Sequence, residues 1–278
     1  MRDIHSYSLV IRKLRSFFQD ELGFVEVPAQ SRLSILAACE DPSTITVFQF
    51  SNTDYPLPQT GQMWLETEIL KNPKVPGVFC STTSYRNEAN PIPGRHEKVF
   101  PMFEFESGGT MDDLRKLEAR LLKHLGFAEP TILKYEDVCR HYGVSEIKAE
   151  QEGAMERDFG SVISLESFPQ RTHPFWNMKH NKDGIFNKID VILHGCETIG
   201  SAERASDPQE MYENFHTISD GNYAKLLFQA FGKERVMKEL DEYLSLPFFP
   251  RFGAGIGITR LVRAMQLANL LAPSTAAA

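Results

Sequence analysis

The sequence predicts an α+β fold within one domain, and three observations carry that reading. The first is a pair of strand-like runs, 78–85 and 99–105, rich in Val, Phe, Thr and Tyr. They flank a loop, 89–95, with two prolines, an Asn and a Gly, residues that turns select for their backbone geometry. The second is a tighter hairpin: 188–194 alternates as a strand, and Gly195 permits a turn into Cys196-Glu197-Thr198-Ile199. The third is a set of amphipathic helical stripes, one through Leu9, Val10, Leu14, Phe17, Phe18 and Leu22, another through Leu114, Leu117, Leu121, Leu122 and Leu125. No Pro/Gly/Ser tract divides the chain, so we expect one domain over 1–272 and a frayed tail over 273–278.

In chain order, helix 9–22 stops at Gly23, and the short strand 24–27 ends at Pro28. Residues 31–43 read as a short apolar helix followed by the loop Cys39-Glu40-Asp41-Pro42-Ser43, and another helix runs towards Leu70. The leucine stripe of 112–125 is stopped by Gly126, and Tyr135, Val138 and Cys139 share a face of the next helix. The highly charged stretch 146–158 reads as an exposed helix. Strand 162–168 ends at Pro169, ahead of the aromatic run His173-Pro174-Phe175-Trp176. Residues 223–244 are helical with a break at Gly232, and a glycine-rich strand leads into helix 261–271.

Composition narrows the class. With 42% hydrophobic and 24% charged residues, a chain of 278 buries a sizeable core as an ordinary globular protein. A net charge of −7 argues against a general basic surface that coats nucleic acid, and leaves room for a local basic patch. Cys39, Cys80, Cys139 and Cys196 form no C-x-x-C pair and fit reduced thiols. The first residues lack the apolar run of a signal peptide and no stretch approaches a membrane span, so we expect a cytoplasmic protein.

Three stretches carry candidate chemistry. Arg86 and Glu88 are two apart, as are Glu104 and Glu106, so each pair shares a face if the segments are strands. By residue type alone, a solvated hairpin with ion pairs worth under about 1 kcal/mol is the plainer reading. In the second hairpin, a turn at His194-Gly195 sets Ile192 opposite Glu197 and makes Asp190 its diagonal neighbour. Two carboxylates so close repel unless a cation lies between them, an arrangement that suits Mg²⁺, although a solvated face is again the plainer alternative. In the third stretch, Gly253, Gly255 and Gly257 strip one strand face of side chains, so another group can lie on the backbone. A dinucleotide fingerprint would need a third glycine at a different spacing and a βαβ unit; position 258 is Ile.

Together these segments resemble the class II aminoacyl-tRNA synthetases, in their aspartyl/asparaginyl group. Arg86-Asn87-Glu88, the loop, then Arg95-His96 and Phe100 with the acidic strand is similar to motif 2. Helix 9–22 with its strand resembles motif 1, the dimer element of that family, and Gly253 to Arg260 resembles motif 3. Glu197 to Arg204 resembles the Glu-(six residues)-Arg stretch of archaeal and eukaryotic aspartyl enzymes. The resemblance spans roughly 8–270 and implies an antiparallel sheet flanked by helices, a homodimer, and ATP with Mg²⁺. Motif 1 begins almost at Met1, so the N-terminal anticodon-reading domain of the family is expected to be absent.

The same resemblance implies residue roles. Arg86 would hold the α-phosphate, Glu88 the adenine amino group, and Phe100 would stack on adenine with Arg260 on its other face. Gly255 and Gly257 would bed the adenine, while Arg260 and His96 would meet the outer phosphates. Asp190 and Glu197 would bind Mg²⁺. Thr60, Gln62, Glu104, Arg204 and Trp176 would line the amino-acid side, with Arg204 gripping the carboxylate that is not activated. Two positions depart from the pattern: Leu65 replaces the lysine that pairs with an aspartate side chain, and Thr259 replaces the acidic residue before the last arginine. The implied activity is AMP-forming activation of aspartate or a close analogue, with transfer to ammonia or another small amine, as in the asparagine synthetases related to this group. A paralogue that acylates a tRNA or a protein, and a non-catalytic regulatory paralogue, are the alternatives.

Overall fold

The computed structural model describes residues 3–30, 33–92, 95 and 97–271. Strands β1 (Val25–Glu26), β4 (Gly77–Tyr85), β5 (Val99–Gly108), β6 (Thr131–Lys134), β7 (Val162–Pro169), β8 (Ile185–Leu193), β9 (Cys196–Glu203) and β10 (Arg251–Gly257) build one sheet in the order β1-β4-β5-β10-β9-β8-β7-β6. Strands β2 (Val47–Phe50) and β3 (Thr53–Pro56) form a separate hairpin. The helices are α1 (Ile4–Arg15), α2 (Gln62–Lys71), α3 (Met111–Leu125), α4 (Tyr135–Tyr142), α5 (Ala149–Phe159), α6 (Pro208–Thr217), α7 (Asn222–Phe231), α8 (Lys233–Leu244) and α9 (Ile258–Leu267). This is the α+β architecture expected, with one refinement. The six central strands pair antiparallel, while β1 with β4 and β6 with β7 pair parallel at the two edges.

Period-two alternation decides which sheet face is core and which is site. Phe103 and Phe105 of β5, Phe252, Ala254 and Ile256 of β10, and Ile189, Val191 and Leu193 of β8 are buried together under α1, α3 and α9. Phe18 sits at the middle of this layer, its ring centroid 4.7 Å from Phe105 and 5.3 Å from Phe103. Alternate residues face the other way: Glu104 and Glu106 of β5, the glycines of β10, and Asp190 of β8. Over that second face lie α2 and α6–α8, which pack around Trp64, Trp176 and Phe215. Helices α4 and α5 cover the β7–β8 end around Tyr135, Met155 and Phe168. No helix among the described residues is long and apolar enough to cross a membrane. All four cysteines are buried free thiols.

The apolar layer contains one carboxyl that the leucine stripe did not announce. Glu118 on α3 is 3% exposed, its Oε1 has no hydrogen-bond partner among the described residues, and burial pushes its carboxyl up to about 8 against the help of Ser201. The unfolded chain ionises this group near the ordinary glutamate value, whereas the folded chain resists until about pH 8. Its contribution to stability is therefore present in acid and lost as pH rises through that window. Glu118→Gln is expected to flatten the fall in stability from mildly acid to mildly alkaline pH, read by urea melts across the range. An unchanged slope would contradict this assignment.

Several local expectations are corrected. Residues 35–38 make a turn where a short apolar helix was expected, and Pro42–Thr44 is a single 3₁₀ turn at the end of the expected loop. The backbone donors that a helix would use are taken by side chains. Glu239 accepts from the Ile35 and Leu36 amides, and Gln59 Oε1 accepts from those of Glu40 and Asp41 at 2.8 and 2.7 Å. Helix α1 ends at Arg15 and continues as a wider turn over Ser16–Glu21. Arg86 and Glu88 lie past the end of β4 rather than within it. Glu104 and Glu106 are each fully buried, not a solvated face. The break at Gly232 falls as expected, between α7 and α8. The expected tail, 273–278, lies outside the described residues.

Candidate active site

A cleft of about 560 Å³ opens on the second face of the sheet, over β5, β10 and β9. It is lined by Thr60, Gln62, Arg86, Glu88, Phe100, Glu104, Glu197, Gly255, Gly257 and Arg260 of the expected residues, and also by Glu40, Arg95, Glu97, Thr259 and Arg263. Residues 62 and 260, nearly two hundred positions apart, line this one cleft from the first turns of α2 and α9. His96 lies outside the described residues.

Two of the three expected phosphate-side groups, Arg86 and Arg260, are engaged with protein carboxylates or carbonyls. The Arg86 guanidinium is paired with Glu40, stands 5.8 Å over the Phe100 ring, and has a buried Nε with no acceptor among the described residues. Arg260 donates from NH1 to the Glu197 carbonyl at 2.8 Å and lies 3.7 Å from its carboxylate. Glu197 also adds to the field on Arg86, so both arginines look towards one acidic residue. Arg95 pairs with Glu152 of α5, whose Oε2 in turn accepts from the Glu197 amide at 3.0 Å.

The β8–β9 hairpin places Ile192 opposite Glu197 and Asp190 opposite Gly200, with a bulge between Val191 and Ile192. A Cβ on Gly200 would lie 3.2 Å from Glu197 Oε1 and 3.7 Å from Asp190 Oδ1, so the two carboxylates converge over that glycine. Burial pushes the Asp190 carboxyl up to about 7; Lys188 opposes the shift and Glu197 adds to it. Lys188 Nζ donates to Oδ2 at 2.5 Å, and Oδ1 is buried without a partner among the described residues. An orphaned hard oxygen beside a second carboxylate fits a cation such as Mg²⁺, which takes one or two carboxylates and fills its remaining positions with phosphate and water. Among the described residues no three His, Cys, Asp or Glu gather as a complete protein cage.

At the other end, Glu104 shapes the wall. It accepts from Thr60 Oγ1 at 2.5 Å, the Gly61 amide at 2.6 Å and Thr82 Oγ1 at 2.7 Å, while burial raises its carboxyl above the ordinary value. Gly61 must be glycine, since a Cβ there would sit 2.8 Å from Glu104 Oε2 and 2.9 Å from Thr82. The stripped face of β10 is filled by protein in two of three places: a Cβ would meet Glu106 at 2.0 Å from Gly253, and Gln62 and Met102 at 2.9 Å from Gly255. At Gly257 its nearest neighbour would be Arg260, at 3.7 Å.

Arg204 and Trp176 are placed differently from the expectation. Arg204 is 2% exposed; Nε and NH2 both donate to Glu106 Oε1, at 3.1 and 2.5 Å, and NH2 donates to Gln62 Oε1 at 2.8 Å. Gln62, on the cleft wall, thus stands in contact with an arginine whose charge Glu106 already balances. Behind it runs a buried network that sequence reasoning missed. Arg251 forks onto Glu66 Oε2 at 3.1 and 2.7 Å, with Tyr243 and Asn177 completing the carboxylate's partners. Trp176 is 1% exposed and packs edge-on to Phe215 and Tyr243 in the helical core, away from the cleft wall.

A family model described as class II tRNA synthetases (D, K and N) matches residues 2–270. The chain belongs to that family. Solved structures of similar fold include the asparaginyl-tRNA synthetase of Pyrococcus horikoshii complexed with asparaginyl-adenylate, at 19% identity and a TM-score of 0.75, covering 94% of this chain and 64% of that one. The asparaginyl-tRNA synthetase of Entamoeba histolytica in complex with asparaginyl-adenylate is 20% identical with a TM-score of 0.70, covering 95% and 63%. A putative aspartyl-tRNA synthetase from Leishmania major Friedlin is 17% identical with a TM-score of 0.70, covering 99% and 65%. This class II chain therefore spans a little under two thirds of each, and at such identities the likeness shows the fold.

Proposed function

We propose that the chain is an AMP-forming ligase that activates aspartate or a close analogue with ATP and passes the acyl group to ammonia or another small amine. The observation that carries the reading is the meeting of Arg86 and Arg260 on one cleft with Glu88, Phe100 and Glu197. The two asparaginyl-tRNA synthetases named above were solved with asparaginyl-adenylate, the product class such a cleft would make.

In this reading the α-phosphate displaces Glu40 from Arg86, and the guanidinium, with its unpartnered Nε, receives the charge that grows as the carboxylate attacks phosphorus. Glu88 accepts from the adenine amino group, and Phe100 stacks against the base. Arg260 and His96 take the outer phosphates. Asp190 and Glu197 would hold Mg²⁺, which supplies positive charge to the phosphates when bound. No side chain forms a covalent bond; positioning and charge neutralisation lower the barrier. The motif 1 segment supports a homodimer, with Val25 45% exposed on its strand, a point that sedimentation of the purified chain decides.

One observation favours an uncharged analogue over aspartate itself. Leu65 is fully buried and apolar, and Arg204 is already neutralised by Glu106. A side-chain carboxylate would have to break that pair in a buried setting, which is costly. Pyrophosphate exchange into ATP, screened across the amino acids, tests both levels. We expect exchange with aspartate or asparagine and with few others. Exchange with no amino acid would remove the activation step, and with it the ligase reading.

A further inference from the structure

Glu40 lines a second cavity as well as the cleft. This neighbouring space, of about 460 Å³, is walled by Glu40, Asp41, His173, Phe175, Lys188 and Tyr223 among others. We propose that it receives the acceptor, and that the acceptor is an amino acid, whose ammonium meets Glu40 and whose carboxylate meets Lys188 and His173. The proposal rests on the activation reading above and names its second substrate.

Both signs of charge occur in one small space, which suits a zwitterion and leaves a bare ammonium ion nothing to satisfy the cationic wall. Lys188 Nζ has three donors; one goes to Asp190 at 2.5 Å, and the Phe168 ring lies 3.7 Å away, so donors remain for a ligand carboxylate. On the acidic wall the two carboxylates differ. Asp41 is held by the Ser43 amide at 2.9 Å and by the hydroxyls of Ser43 and Thr44 at 2.7 and 3.1 Å. Glu40 is held through its side chain by Arg86, the group that the α-phosphate would claim.

The loop's backbone is fixed while this exchange occurs. Gln59 accepts from the amides of Glu40 and Asp41 and donates to the Asp41 carbonyl at 2.9 Å, and the Tyr223 hydroxyl donates to the Cys39 carbonyl at 2.9 Å. Release from Arg86 therefore swings the Glu40 side chain and not the loop. Adenylate formation on one side of Glu40 frees a carboxylate to act as base on the other.

The step balances without a further reactant. The acceptor's ammonium gives one proton to Glu40, and the amine lone pair attacks the acyl carbon. The C–N bond forms as the bond from acyl carbon to the adenylate oxygen breaks, and its electron pair leaves on AMP beside Arg86. The second amine proton passes to water.

The test uses the whole chain with ATP, Mg²⁺ and whichever amino acid supports pyrophosphate exchange. Glycine, alanine, serine and aspartate are offered as acceptors beside methylamine and ammonium, and products are read by mass spectrometry with AMP release. We expect an amide of an amino acid, with a KM for the best amino acid at least about tenfold below that for methylamine, the effect of a charged hydrogen-bonding partner. Lys188→Met should bring that ratio near one, and His173→Asn, which tolerates the left-handed backbone at 173 (φ 50°), should reduce it in the same direction. Exchange accompanied by use of ammonium or methylamine as readily as any amino acid overturns the acceptor proposal alone. Absence of exchange overturns the activation reading and the acceptor with it.

Discussion

Arg86→Ala is expected to abolish measurable pyrophosphate exchange, by about a hundred- to a thousandfold, the scale seen when a preorganised charge-stabilising donor is removed. The fold should persist, because the guanidinium's partner is Glu40, a residue on a loop whose backbone Gln59 holds independently. Circular dichroism and a melting curve near wild type, beside lost exchange, are the expected pair of results. Lost exchange with a collapsed melting curve would show instead that Arg86 is structural. Glu40→Gln separates the two roles of the loop: it frees Arg86, so nucleotide should bind at least as well, while transfer to the acceptor slows.

Glu66→Ala should have the largest effect on stability, about 3–5 kcal/mol, because it leaves a charge buried without its partner. Glu66 is 1% exposed and Arg251 fully buried, with Arg204 3.9 Å from the same carboxylate. Removing one acid from a cluster of two arginines and two glutamates leaves Glu106 alone to balance both cations. The paired change to Glu66→Leu with Arg251→Met should be less harmful than Glu66→Ala by itself, since an apolar pair carries no desolvation penalty. Urea melts of the three chains decide this; a Glu66→Ala melt within about 1 kcal/mol of wild type would contradict the reading of the network as charge-balanced.

Much of this cleft is legible in the sequence, for identifiable reasons. Turn chemistry at Gly195 set the β8–β9 register, and Ile192 does stand opposite Glu197. Arg86, Phe100 and Arg260 were found because each sits in a short, ordered pattern. What was missed lacked a local signal. Glu66 and Arg251 are 185 positions apart, and neither segment advertises a buried ion. Arg204 is expected to grip a substrate carboxylate because its spacing from Glu197 is visible in the sequence, whereas its partner Glu106 arrives from β5 through the tertiary fold. The helix expected ahead of the loop 39–43 is absent because Glu239 captures the amides of Ile35 and Leu36 from afar. Two further elements do carry a local signal. Asp207-Pro208, an N-cap followed by proline at the first helical position, announces α6. Ser51 and Asn52, both left-handed, turn the β2–β3 hairpin between aromatic strands.

The account stands or falls on nucleotide capture by the paired arginines. Titration calorimetry of the wild-type chain with ATP and Mg²⁺, amino acid omitted, reads it directly. The account predicts one saturable site, weakened at least about tenfold in Arg260→Ala through loss of a charge-assisted phosphate contact. No heat from the wild type, or equal affinity in wild type, Arg86→Ala and Arg260→Ala, would contradict it.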